Sequence, residues 1–308
     1  MCVRFVFLFK VCFFSFDKEK GCQTEEMKMK KVVLMAAVLV TFVGVNAANA
    51  GLAAHWTLDS LAEGTPYGDP APAVVAGVDD MALDFNLANY VDLGNDPALS
   101  MGTGNLSITA WVKFGYLPPS QLPDGTPLPG HGIIAGKGIM SNDNGYGLIA
   151  LDTGQVCFQV REGNIAYREV YSNDTGGNWV GFVNDEQWHH VVGVLEREQV
   201  NGTRIYVDGV LQSHSYDVAV STIGFTNDLD SAAPLCVGAR YSDTMPEGQK
   251  ALWFLDGSVD DVQVYDYVLT QDDIDFLVAN PGVAIPEPTL LALLGFGAAG
   301  LLRRNRRG

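Results

Sequence analysis

Apolar and polar residues alternate with period two along the middle of the chain. Across residues 106–114 every even position is apolar, from Leu106 to Phe114, whereas the odd positions carry Ser, Thr, Trp and Lys. Successive side chains of a strand point to opposite faces, so this pattern predicts a strand with one buried and one exposed face. The same alternation in residues 155–160 predicts a strand with Val156, Phe158 and Val160 inward and Gln155, Cys157 and Gln159 outward.

A tight turn separates two further apolar-rich arms. Asp208-Gly209 lies inside the stretch 204–211, and this dipeptide is typical of two-residue hairpin turns, whose residues need positive φ. The arms on either side are therefore expected to pair as antiparallel strands.

One short helix is predicted near the end of the chain. Thr270 can accept hydrogen bonds from the amides of a first helical turn, and Ile274, Leu277 and Val278 would form its apolar stripe. Residues 51–282 show no clear helical period before this point. Many short strands with one terminal helix predict an all-β fold, an antiparallel sandwich.

Residues 27–50 have the three parts of an export signal. A basic stretch is followed by an apolar run and by Ala48-Asn49-Ala50, and small residues at this spacing predict cleavage after Ala50. The alternative, a transmembrane anchor, is disfavoured because the apolar run is short for a hydrocarbon core of ~30 Å. Residues 1–26 have no role in such a signal, and we interpret them as a doubtful N-terminal extension.

The charge of the middle of the chain excludes one class of partner. Residues 51–285 hold 31 acidic and 8 basic residues, a net charge of −23. This charge repels nucleic acid and anionic lipid, and it suits calcium or a neutral ligand. We therefore expect no nucleic-acid partner.

Residues 285–308 contain three parts in a fixed order. They are Pro286-Glu287-Pro288, an apolar run from Leu290 to Leu302, and a basic end that includes Arg303 and Arg304. This order resembles the PEP-CTERM sorting signal. The resemblance implies a transient inner-membrane intermediate, cleavage by an exosortase-type sorting protease, and delivery to the cell surface or extracellular matrix. A plain membrane anchor is the alternative.

Several motifs between residues 51 and 284 resemble the laminin-G-like jelly-roll domain of the concanavalin A-like lectin/glucanase class. The most specific are Gln187-Trp188-His189-His190, Tyr206-Val207-Asp208-Gly209 and Asp260-Asp261-Val262 in this order. The resemblance implies an antiparallel jelly-roll β-sandwich with one short C-terminal helix. It also implies that the domain binds carbohydrate or a partner surface protein.

Asp260 is the first candidate for a metal ligand. It is expected to share a strand face with Val262 and Val264 and to point toward the core margin, where a buried carboxylate is costly unless it is paired or binds a metal. The resemblance implies a structural calcium ion at this position, with Asp59 as a second ligand. The alternative is an Asp260 carboxylate satisfied by backbone amides.

Three aromatic residues are candidates for ligand binding. Tyr171, Trp179 and Trp253 lie in or beside predicted loops, and sugars pack against the faces of such rings. The alternative is that each ring only packs onto the edge of the sandwich.

Two pairs of residues have competing interpretations. His189 and His190 are adjacent on a strand, so their side chains point to opposite faces and cannot bind one metal. We expect one ring buried and hydrogen-bonded and the other half exposed. Cys157 and Cys236 could form a disulfide if their strands are neighbours.

We expect no catalytic residues. The sequence has no G-x-S-x-G elbow, and the E-x-D-x-x-E strand of glucanase relatives, which sets two carboxylates on one face, is not found. The prediction is an exported surface protein with a non-catalytic binding domain. A glycoside hydrolase or lyase is the first alternative, and a structural spacer without ligand is the second.

Overall fold

A computed structural model describes residues 51–121, 127–128, 130–138, 143–163, 166–172, 182–212, 221–241 and 251–286. The predicted export signal with Ala48 and Ala50 lies outside these residues. Trp179 also lies outside them, as do Glu287, Pro288, Arg303 and Arg304.

The strands and the helix follow one another in a single order along the chain. They are β1 (Leu52–Trp56), β2 (Thr65–Tyr67), β3 (Ala73–Ala76), β4 (Met81–Asn86), β5 (Tyr90–Asp92), β6 (Leu106–Phe114), β7 (Ser120–Gln121), β8 (Pro127–Leu128), β9 (His131–Lys137), β10 (Asn144–Leu151), β11 (Val156–Glu162), β12 (Ala166–Tyr171), β13 (His189–Leu195), β14 (Thr203–Val207), β15 (Val210–Leu211), β16 (Leu235–Val237), β17 (Arg240–Tyr241), β18 (Ala251–Leu252), β19 (Asp256–Tyr265) and the helix α1 (Gln271–Ala279).

Two antiparallel sheets form the sandwich. The first sheet has the order β15-β14-β13-β6-β19-β4-β3, and β1 also pairs with β19. The second has the order β12-β11-β10-β9-β16-β5-β2, and two small hairpins, β17-β18 and β7-β8, accompany the sheets. This arrangement confirms the predicted jelly-roll β-sandwich with one short helix.

The core lies between the two sheets and contains the side chains that the apolar alternation predicted to be buried. Leu106, Ile108, Val156 and Phe158 all belong to one continuous buried apolar cluster, because facing strands bury the side chains of one parity. The prediction that the second face of 106–114 is exposed is wrong, since every residue of β6 except Lys113 is buried.

Helix α1 covers part of that second face. Its Ile274 and Leu277 pack on Val192 and Tyr265 of the first sheet. Thr270 and Asp273 form a capping box at its start, with the Asp273 amide donating to the Thr270 hydroxyl. The predicted cap is therefore confirmed.

The predicted hairpin is also confirmed. Strands β14 and β15 pair across Asp208 and Gly209, whose φ angles are 51° and 81°. Both angles are in the left-handed region that a two-residue turn of this type requires.

The condition for a disulfide between Cys157 and Cys236 is not met. Cys157 lies on β11 and Cys236 on β16, and β10 and β9 run between these strands. At ~4.8 Å per strand the gap is ~14 Å, twice the Cα separation that a disulfide can span.

In the described part of the chain, no helix is long and apolar enough to cross a membrane.

Candidate functional site

Two of the predicted ligand-binding aromatics lie on the same surface, the outer face of the second sheet. Tyr171 is paired with Cys157 across β11 and β12, and Trp253 follows β18. Both rings are partly buried against an apolar cluster that includes Ile133 and Ile149. The structure therefore brings Tyr171 and Trp253 together, while Trp179 is outside the described residues.

Arg240 is a third member of this surface that the sequence did not reveal. Its guanidinium carbon lies 3.6 Å from the centroid of the Trp253 ring, and only 7% of the residue is exposed. Burial and, to a smaller extent, the positive charge of Arg161 lower the pKa of Arg240 to about 9. The hairpin β17-β18 causes this stacking, because it pairs Arg240 with Leu252, the residue before Trp253.

Three buried hydrogen-bonding atoms on this surface have no partner among the described residues. They are Nε1 of Trp253, Nδ1 of His131 and Oε1 of Gln159. The His131 ring stands edge-on to Trp253 with centroids 5.1 Å apart. Buried polar atoms in native proteins are nearly always hydrogen-bonded, so such a cluster requires an explanation.

The neighbouring polar groups are held in place. The side-chain amide of Gln159 donates to Oε1 of Glu169, and the Tyr171 hydroxyl donates to the other oxygen of Glu169 over 2.8 Å. Glu169 thus fixes Gln159 and Tyr171 on adjacent strands. We call the surface formed by Tyr171, Trp253, Arg240, His131 and Gln159 the aromatic face.

Asp260 points away from the core, contrary to the prediction. It is opposite Trp111 on β6 and therefore lies on the outer face of the first sheet, whereas Val262 and Val264 face the core. The cause is an irregularity in the register between Asp260 and Gln263. One extra residue in a strand changes the phase of the alternation.

Asp260 and Asp59 both accept hydrogen bonds from the loop before β4. Oδ2 of Asp260 accepts from the Val78 amide over 2.7 Å, and Oδ1 of Asp59 accepts from the Met81 amide over 3.0 Å. Burial and, to a smaller extent, the charges of Asp261 and Asp59 raise the pKa of Asp260 to about 6. The carboxylates fit a hard cation by ligand type and charge.

The adjacent Asp261 already has three partners. It bonds Nε2 of His55 over 2.7 Å, the side-chain amide of Gln263 over 2.8 Å and the Gly282 amide over 2.9 Å. These bonds leave it no role as a metal ligand. Within the described ranges, no group of three or more His, Cys, Asp or Glu side chains is placed to hold a metal.

The two adjacent histidines have opposite surroundings. His189 lies between Asp208 and Asp185, while His190 is 1% exposed and lies against Trp111 with ring centroids 5.1 Å apart. We expected the buried histidine ring to be hydrogen-bonded. His190 is the buried ring, and its Nδ1 has no hydrogen-bond partner among the described residues. Burial lowers the pKa of His190 to about 4.

A two-sheet antiparallel sandwich with partly covered outer faces defines a lectin-like jelly-roll protein. The chain belongs to the concanavalin A-like lectin/glucanases superfamily, whose laminin-G-type model matches residues 85–275. The PEP-CTERM protein-sorting motif matches residues 284–307. This motif indicates an exported protein that is processed at the membrane by an exosortase. A search of curated proteins finds no match to the sequence.

Several solved structures are similar to this chain at low sequence identity. The binding domain of Paraclostridial Mosquitocidal Protein 1 is 12% identical, with a TM-score of 0.50 over 74% of this chain and 52% of that one. The match thus spans about half the length of the toxin domain. The CBM40 of Ruminococcus gnavus IT-sialidase is 14% identical, with a TM-score of 0.46 over 74% and 100% of the two chains. Domain 4 of the Geobacillus stearothermophilus arabinanase AbnA, solved with arabinotriose, is 17% identical, with a TM-score of 0.45 over 74% and 98%.

Proposed function

We propose that this protein is an exported, non-catalytic surface or matrix module that binds a glycan at the aromatic face. The observation that carries the proposal is the pair of partly buried rings, Tyr171 and Trp253, on the outer face of the second sheet, with the Arg240 guanidinium stacked on Trp253. The Glu169 carboxylate, which accepts from the Tyr171 hydroxyl, can also accept a hydrogen bond from a sugar hydroxyl.

The rings supply the apolar part of such a site. Tyr171 and Trp253 are only partly buried, and the C–H groups of a pyranose pack favourably on an aromatic face. Arg240 stabilises the Trp253 ring in one orientation by stacking against it. A partner surface protein that presents hydroxyl-rich side chains is the other ligand compatible with this surface.

The proposed final location is the cell surface or extracellular matrix. Supporting this, a proline pair such as that of the Pro-Glu-Pro motif favours an extended backbone in general, and an extended segment is open to a protease. Arg303 and Arg304 would keep the tail in the inner membrane until the cut. The membrane is then only a transient location.

We further propose that Asp260 and Asp59 hold a structural calcium ion. The raised pKa of Asp260 reflects its burial first and the nearby charges of Asp261 and Asp59 second. Bound calcium would neutralise the two carboxylates. The loop from Val78 to Met81 would then be fixed to the first sheet.

A glycan array tests the proposed function. The secreted protein is applied with calcium and with chelator, beside the variants Trp253→Ala and Trp253→Phe. We expect Trp253→Ala to weaken retention tenfold or more, equal to about 1.4 kcal/mol, and Trp253→Phe to weaken it less because the ring remains. Val210→Ala, an exposed residue of the edge strand of the first sheet, is the control here, because the exposed Tyr67 stacks on Tyr90 on the same sheet face as Trp253. Equal retention of all variants would contradict the proposal.

A further inference from the structure

A recess opens at one end of the outer face of the first sheet, on the side of the sandwich opposite the aromatic face. Its volume is about 360 Å³, within the range of small-ligand sites. Its polar lining residues are Asp84 of β4, Lys113 of β6, Asp256 and Ser258 of β19, and Tyr116 and Glu186 from two loops.

The floor of the recess is built by strand register. Ser258 is directly opposite Asp84 on one side and Lys113 on the other, so the three side chains form one row across three strands. The Ser258 hydroxyl donates to Oδ1 of Asp84 over 2.6 Å. This bond fixes the Asp84 carboxylate with its second oxygen available to another donor.

The wall of the recess comes from the loop before β13. Glu186 has a φ of 61°, in the left-handed region that non-glycine residues seldom adopt. Its amide donates to the Phe114 carbonyl over 3.2 Å, and its carboxylate lies beside Gly115. This strained backbone brings a third carboxylate to the recess.

Tyr116 stands at the edge of the recess with 68% of its surface exposed. Lys113 extends over the ring of Trp188, with Nζ 5.2 Å from the centroid. The recess therefore combines a solvent-facing ring, carboxylate acceptors and one ammonium donor. Hydroxyl groups bind carboxylates through strong, charge-assisted hydrogen bonds, and pyranose C–H groups pack on a tyrosine ring.

We propose that this recess is a second glycan-binding site, and that it takes an uncharged pyranose unit. Asp84, Asp256 and Glu186 accept from the sugar hydroxyls, Lys113 donates to a ring or bridging oxygen, and Tyr116 packs against the ring face. Three carboxylates against one ammonium repel a uronic acid. Burial and the Asp84 charge also raise the pKa of Asp256, so another anion here would be costly. The site is independent of the aromatic face.

The experiment separates the two sites by working in the Trp253→Ala background. Cellohexaose, xylohexaose and mannohexaose serve as uncharged pyranose probes, and a galacturonic acid hexamer serves as the anionic probe. We expect the Trp253→Ala protein to retain at least one uncharged probe. Adding Tyr116→Ala or Asp256→Ala should reduce that retention tenfold or more, whereas adding the control Tyr67→Ala should not. Near-UV circular dichroism shows that each variant is folded.

Four outcomes would overturn the second site. Retention of no uncharged probe, retention that neither Tyr116→Ala nor Asp256→Ala changes, and equal retention of the galacturonic acid hexamer each contradict it. Release of reducing ends that depends on Asp256 would make the recess an active site instead. Loss of all retention in Trp253→Ala alone removes the second site but leaves the proposed function intact.

Discussion

Nδ1 of His189 lies 2.7 Å from Oδ2 of Asp208. The other oxygen of Asp208 accepts from the His190 amide over 2.9 Å, and Asp208 itself occupies the first position of the turn between β14 and β15. One carboxylate therefore connects the start of β13 to the hairpin of its neighbour β14. This contact brings His189-His190 and Asp208-Gly209, which are distant in the sequence, together in the fold.

The His189 contact predicts a pH-dependent contribution to stability. The hydrogen bond to Asp208 raises the pKa of His189, against the effect of burial. A raised folded-state pKa means that the stabilisation is complete below about pH 6.5, the unfolded value, and is lost as the pH rises through the folded value. Because Asp208 is about half exposed, we expect Asp208→Asn to cost about 0.5–1 kcal/mol at pH 5.5 and less at pH 8.5.

Thermal melts of the wild type and Asp208→Asn at both pH values measure this difference. His190 acts in the opposite direction, since its lowered pKa removes stability as the pH falls below about 6.5, but this contribution is present in both proteins. Asp185→Asn, which removes the longer contact of 3.1 Å, should have a smaller effect. A cost of Asp208→Asn that is equal or larger at pH 8.5 would contradict the assignment.

The sequence predicted the sheets better than it predicted the polar positions. Alternating apolar residues predicted strands β6 and β11 correctly, because every second side chain of a strand faces the core. Asp260 was placed on the wrong face because a one-residue irregularity leaves no mark in an apolar pattern. Arg240 and the recess were missed because their residues come from distant segments that only the pairing of strands brings together.

Because the two sheets pack closely at Gly193, we expect a larger residue at this position to destabilise the fold. A methyl group added there would overlap the ring of the fully buried Phe158 on the opposite sheet. We expect Gly193→Ala to lower the free energy of unfolding by about 1–3 kcal/mol. In a Phe158→Leu background the cost should be smaller, because the smaller side chain leaves room. Urea denaturation of the four proteins tests this, and strict additivity would show that the two residues are not coupled.

Removal of the N-terminal cap of helix α1, which packs on the first sheet, should lower the free energy of unfolding. Thr270→Ala removes the acceptor of the Asp273 amide, and we expect a loss of about 1 kcal/mol. Thr270→Ser keeps the hydroxyl and serves as the control, with a loss of a few tenths at most. Denaturation midpoints of the three proteins provide the comparison. A Thr270→Ser variant as unstable as Thr270→Ala would show that the methyl group, not the cap, is responsible.

The proposed calcium ion predicts a stability that depends on chelation. A ligand that binds only the folded state adds about 2.7 kcal/mol at 100 times its dissociation constant, which corresponds to ~5–10 °C in a domain of this size. We expect the melting temperature to fall by this amount with chelator, and Asp260→Asn to remove the difference. The exposed Asp272→Asn is the control. Superimposed melting curves with and without calcium would exclude the ion.

The last prediction concerns the sorting motif at residues 284–307. Pro286 and Pro288 lack amide donors and disfavour a continuous strand ladder, so the segment between the sandwich and the apolar run should be accessible to a protease. The arginines at the end stay charged at every relevant pH and resist transfer across the membrane. We therefore expect the mature protein to lack Leu290 and all that follows it. Mass spectrometry of protein recovered from the native cell surface measures this directly, with a Glu287→Ala variant to show whether the motif is needed. C-terminal peptides that reach Leu302 in the mature protein would mean that the tail is a permanent membrane anchor.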